Sequence, residues 1–120
     1  MTVDVAKVPR SEWSPLPRSV GVDGRVLVRE ADFFIAVLRF STHATIEAHA
    51  GANDTLVVCL HGEGRTSVAG ETAPLREGER AFWPAGIPHD LWTEETAMTT
   101  LMVERPGQGF PARGLGEYTG

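Results

Sequence analysis

The chain has one cysteine, no long apolar run, no basic cluster and no stretch with a helical hydrophobic period. Each shortage removes a class of protein. A lone thiol, Cys59, rules out an internal disulfide, so nothing in the cysteine content marks a secreted, disulfide-stapled domain. The N-terminal residues MTVDVAKVPRSEW lack the apolar core of a signal peptide, and no later run approaches a membrane span. A formal charge of −5, with no cationic patch, sets the chain against nucleic acid and anionic membrane as partners. A cytoplasmic setting is expected. Without apolar residues at helical spacing or any internal repeat, helical bundles and repeat arrays drop out as well.

Glycine and proline are plentiful. Thirteen glycines and eight prolines are spread along 120 residues, which is the punctuation of an all-β domain with many turns. Hydrophobic content of 42% and charged content of 22% suit one soluble domain with a single core. Residues 1–20 hold a β-like piece, 2–8, then a Pro-rich extended arm in which Pro9, Pro15 and Pro17 surround Trp13. Trp13 is expected to cover exposed core. Residues 21–105 are expected to form the barrel, with strands at 25–29, 33–40, 44–49, 54–61, 80–83, 89–92 and 99–103. A hairpin is expected over 67–75, turning at Gly70-Glu71. Residues 106–120, with five glycines in fifteen, read as a loosely ordered tail. Short strands with turn signals between them imply a sandwich or barrel.

Two of these strands are apolar on both faces. Phe33, Ile35, Val37 and Arg39 alternate with Phe34, Ala36, Leu38 and Phe40, both faces being largely apolar, and Leu56, Val58 and Leu60 alternate with Val57 and Cys59. One face of a barrel strand is interior, so an apolar outer face needs a cover. A homodimer is the favoured cover and the N-terminal arm the alternative.

The chemistry centres on residues 78–89, GERAFWPAGIPH. Phe82 and Trp83 suit the end of a strand, Pro84 presets its φ and removes a donor, and Gly86 can take positive φ. The turn delivers His89 to the mouth of the next strand. This stretch resembles the second motif of the cupin superfamily, Gly-x5-Pro-x-Gly-x2-His-x3-Asn. Gly78, Pro84, Gly86 and His89 match at every spacing, and Thr93 stands in place of the final Asn. The resemblance covers most of the chain and implies an all-β double-stranded β-helix, a barrel of jelly-roll type.

It also implies a possible divalent metal (Mn, Fe, Ni, Cu or Zn), because the family's first motif, Gly-x5-His-x-His-x3–4-Glu-x6-Gly, supplies ligands to join the histidine of the second. Counted back from Gly62, that motif places its first His on His49, its second on Gly51, its Glu on Thr55 and its leading Gly on His43. On this register only His49 and His89 remain as ligands. A second register reads Glu47, His49, Asp54 and His89 as a four-ligand set. Glu47 and His49 are two apart and would share a strand face, and a β-bulge would absorb the extra residue before Gly62. It turns Leu56, Val58 and Leu60 inward. Asp54 also has a plain reading, as turn chemistry in Ala52-Asn53-Asp54.

Thr55, Cys59, Trp83 and Trp92 complete the candidate lining of a ligand pocket, with Cys59 read as a small buried hydrophobe and the tryptophans as packing or as flat walls. His43 and His61 read as surface or hydrogen-bonded residues. Two functions follow. One is a protein that binds a small organic molecule, with or without a metal, or that uses His49 and His89 as acid and base. The other is a metal-dependent enzyme of dioxygenase, isomerase or lyase type.

Overall fold

Two long strands decide the architecture. The computed structural model describes residues 2–107, so most of the expected tail lies outside the described residues. The strands are β1 (Ser14–Pro15), β2 (Ser19–Arg29), β3 (Phe34–His49), β4 (Asn53–Val68), β5 (Glu71–Arg76), β6 (Arg80–Trp83), β7 (His89–Trp92) and β8 (Met98–Pro106). Strands β3 and β4 each run for 16 residues and change partner midway. The first half of β3 pairs with β8 and its last residues with β7. Likewise β4 pairs first with β6 and β8, then with β5 and β7. The circuit β3–β8–β4–β7–β3 closes the barrel, giving the expected jelly-roll type. No helix among the described residues is long and apolar enough to cross a membrane.

Strands this long must bend to serve two sheets, and the sequence provides for both bends. In β3 the chain turns at His43, whose φ is +54°. Thr93 holds that corner: its hydroxyl accepts from Ala44 N–H at 2.9 Å and donates to the Ser41 carbonyl, while its own N–H reaches the Ala44 carbonyl at 2.9 Å. A buried hydroxyl satisfied as both donor and acceptor is a costly thing to remove. In β4 the register shifts between Cys59 and His61, and Gly62 follows with φ +78°. A Cβ at Gly62 would collide with the Ala97 carbonyl, so only glycine fits this crossing.

The bends explain where strand boundaries differ from expectation. The expected strands at 33–40 and 44–49 are one bent strand, and 54–61 is only the first half of β4. The expected turn at 21–24 is instead part of β2, which bulges there with Gly21 at φ +73°. Strands β6 and β7 lie where expected, because the intervening turn is specified locally. Residues 2–8 form no strand; Val3 and Val5 are exposed. Trp13 lies over two guanidiniums, with Arg39 at 4.1 Å and Arg25 at 5.6 Å from its ring. The core gathers inward residues from nearly every strand, among them Val22, Leu38, Phe40, Val57, Leu75, Trp83, Leu91 and Met98.

Gly62→Ala should therefore cost roughly 2 kcal/mol or more, combining strain at positive φ with a backbone collision. Gly70→Ala, at φ +84° with open space around it, should cost only about 1 kcal/mol. Urea unfolding of the two variants checks the difference, and equal losses would remove the steric argument.

Candidate functional site

The site is assembled from the ends of three strands. His89 opens β7 and lies opposite His49, the last residue of β3, in an antiparallel pair. The two rings meet edge to face with centroids 4.6 Å apart. On its other side His89 stacks on Trp83, 4.1 Å away and 13° from parallel. Trp83 is locked in turn, since its Nε1–H donates to Thr66 Oγ1 at 3.0 Å and that hydroxyl donates to the Asp90 carbonyl at 2.7 Å. A buried indole thus fixes the plane of the imidazole.

Both imidazoles have a defined tautomer. His49 Nδ1 lies 2.8 Å from the Glu47 carbonyl, and His89 Nδ1 lies 3.1 Å from the Ile87 carbonyl. A carbonyl can only accept, so each Nδ1 carries the proton and each neutral ring keeps its lone pair on Nε2. Burial pushes the His89 pKa below the usual imidazole value, and the neighbouring His49 pushes the same way, against the opposing pull of the Ile87 carbonyl and Asp90.

These rings open onto a cavity of about 480 Å³ at the barrel mouth. Ile46, Met102 and Leu16 supply apolar wall, and Thr55, Asn53 and Glu104 supply polar atoms. Asn53 Nδ2 donates to Glu104 Oε1 at 3.1 Å. Arg18 stands exposed at the rim. A larger depression of about 570 Å³ lies elsewhere, but its charged residues Arg39 and Asp23 face each other at 3.6 Å.

Of the residues singled out in the sequence, His49, His89, Thr55 and Trp83 come together here. Glu47, Asp54, Cys59 and Trp92 do not line this cavity, and each has a reason in strand register. The pairing of β3 with β7 shifts between Ile46 and His49, so Ile46 and His49 both face inward and Glu47 is turned out to solvent. Asp54 is buried on the opposite side of β4 from Thr55, where its Oδ1 accepts the Ala85 N–H at 2.7 Å and caps the turn before His89. Leu56, Val58 and Leu60 accordingly face outward, and the four-ligand register does not form. Cys59 belongs to the core, with its thiol 3.4 Å from the Gly62 carbonyl. Burial raises its pKa, and three nearby glutamates add to that, so it is no thiolate. Trp92 is three residues from His89 and so lies on the other face of β7.

Glu104, Asn53, Met102 and Ile46 were not anticipated. The alternation of β8 could have found two of them: with Met98 and Thr100 inward, Met102 and Glu104 follow by steps of two.

The donor set falls short of what a divalent metal needs. Two Nε2 atoms with their Nδ1 partners tied to carbonyls suit metal ligation, but the second histidine and the glutamate of the first motif are Gly51 and Thr55. No group of three or more His, Cys, Asp or Glu side chains placed to hold an ion occurs among the described residues. Two imidazoles hold a divalent ion poorly against water, so these residues do not fit a resident metal.

A family model of the cupin domain matches residues 36–104, more than half of the chain. The chain belongs to the cupin family. Solved structures of similar fold include a conserved Streptococcus pyogenes protein of unknown function, with 24% identity, 88% of this chain and 98% of that one covered, and a TM-score of 0.70. A predicted oxalate decarboxylase from Thermotoga maritima has 18% identity, covers 87% and 99%, and gives 0.73. The polyketide cyclase RemF from Streptomyces resistomycificus has 17% identity, covers 93% and 89%, and gives 0.72. At these identities the likeness is one of fold. A search of curated proteins finds no match.

The depressed pKa of His89 has a consequence for stability. The unfolded chain takes up a proton on this residue at a higher pH than the folded one, so its contribution is complete above about pH 6.5. As the pH falls below that value towards the folded-state pKa, stability should drain away. His89→Gln should flatten the slope of unfolding free energy against pH between about 5 and 7. Equal slopes in the two proteins would show that His89 carries no such linkage.

Proposed function

We propose that the chain binds a small organic molecule at the barrel mouth, with His49 and His89 as its polar anchors. One observation carries this reading: two oriented imidazoles, each with a free Nε2, meet beside apolar wall in a cavity of about 480 Å³. A mostly apolar concavity with a few convergent polar groups is the usual form of a ligand site. Two structural neighbours, a predicted oxalate decarboxylase and a polyketide cyclase, are compatible with small-molecule chemistry on this fold. The fold itself does not choose the activity.

The runner-up is a metal-dependent cupin enzyme of dioxygenase, isomerase or lyase type. It is favoured only by the free Nε2 atoms, and among the described residues no third His, Cys, Asp or Glu is placed with them to hold an ion. A fragment screen read by NMR, with a parallel titration of Mn, Fe, Ni, Cu and Zn, separates the two. The expected outcome is fragment binding in metal-free protein that shifts the His49 and His89 ring signals and is lost in His49→Ala and His89→Ala. Stoichiometric metal uptake, abolished by the same substitutions, would favour the enzyme instead. Hits that leave both rings unmoved would discard the site.

We propose further that a second copy covers the outer face formed by β2, β3, β8, β4 and β6. Two rows of outward residues cross it from strand to strand: Val28, Ile35, Val103, Leu56 and Phe82 in one, and Arg25, Val37, Leu101, Val58 and Arg80 in the other. Leu60 beside them is 48% exposed. An apolar strip with an arginine at each end of one row can meet its own copy across a two-fold axis. Light scattering should give twice the 13.0 kDa chain mass, reduced to the monomer by Val58→Lys with Leu101→Lys. A monomer in the unaltered protein would reject the dimer.

A further inference from the structure

The polar wall of the cavity is unusual in what it offers. Each Nδ1–H is spent on a backbone carbonyl, so in their neutral form the two rings offer a ligand an acceptor at Nε2. Neither Nε2 has a protein partner among the described residues. Glu104 adds a carboxylate to the same wall, and Asn53 gives one of its two amide N–H bonds to that carboxylate, which leaves its carbonyl oxygen and one N–H. Against these acceptors the donors are few: the remaining Asn53 N–H, the Thr55 hydroxyl, and Arg18 out at the exposed rim.

A carboxylate or phosphate brings only acceptors and would set its oxygens against two lone pairs. A proton on His89 would relieve part of that clash, but burial of that ring disfavours its charged form. A hydroxyl meets a neutral Nε2 without any charge being moved. Two adjacent rings can receive two adjacent hydroxyls, while Ile46, Met102 and Leu16 take an apolar side.

Resting on the reading of this cavity as a ligand site, we propose that its ligand is a vicinal diol with an apolar flank, whose two hydroxyls donate to Nε2 of His49 and of His89. A buried unmatched donor or acceptor is costly, so the wall selects by counting donors.

The test uses the unaltered protein, freed of metal with a chelator, and three probes of similar size: cis-1,2-cyclohexanediol, cyclohexanol and cyclohexanecarboxylate. Nitrogen-15 NMR of the histidine rings at pH 7.5 should find both as Nδ1–H tautomers. The diol should shift both Nε2 signals and bind roughly threefold to tenfold tighter than the mono-alcohol, the worth of one added neutral hydrogen bond. The carboxylate should bind more weakly than either. A proton on Nε2 of either ring would overturn the proposal, and so would a carboxylate that outbinds the diol. In the second case the cavity remains a ligand site and only the chemical class is wrong. No shift of either ring with any probe also overturns it, and the fragment screen then decides separately whether the cavity binds anything.

Discussion

The barrel depends on two corners, one in β3 and one in β4, where a strand leaves one sheet and joins the next without breaking. Each corner needs backbone that an ordinary strand does not have. In β3 the positive φ of His43 is stabilised by Thr93, which bonds across the bend to Ser41 and Ala44. In β4 a bulge and the left-handed Gly62 pass close beneath Ala97. The end of β3 and the start of β4, joined by residues 50–52, meet the end of β6 and the start of β7 at one mouth, and the cavity exists there. Thr93 also gives a physical role to a departure from the family's second motif, since a short hydroxyl side chain bonds the bend where Asn would stand.

The site itself is a stack. Thr66 fixes Trp83, Trp83 fixes the plane of His89, and His89 meets His49 edge to face. The indole and the two backbone carbonyls leave little freedom in ring orientation or tautomer. Preorganisation of this kind is what a small polar ligand needs, because the protein loses little freedom when it binds. The same burial that holds His89 in place disfavours its charged form, so positioning and electrostatics come from one cause.

Much of the fold was legible in residues 78–93, where proline and glycine chemistry act within a few positions. Strands 80–83 and 89–92 follow from that turn, and Gly86 does have positive φ, +76°. The two-faced apolar pattern of residues 33–40 and 54–61 was also legible, because alternation is a local property of a strand. The choice between Glu47 and solvent, or between Asp54 and Thr55 as the inward residue, was not. A bulge flips every later side chain to the opposite face, and the shifts at Ile46/His49 and Cys59/His61 are fixed by pairing with β7 and β8, distant in the chain.

By itself the sequence determined the family, the all-β barrel and the two histidines at motif spacing, since each rests on residue types at short, fixed separations. Tertiary structure alone decided that Asp54 caps a turn, that Glu47 faces water and that Glu104 lines the cavity. It also decided the state of the imidazoles, because their tautomers depend on which carbonyls lie within reach of Nδ1. Those placements arise from strand register across the barrel, and register is set by partners that no local spacing reveals.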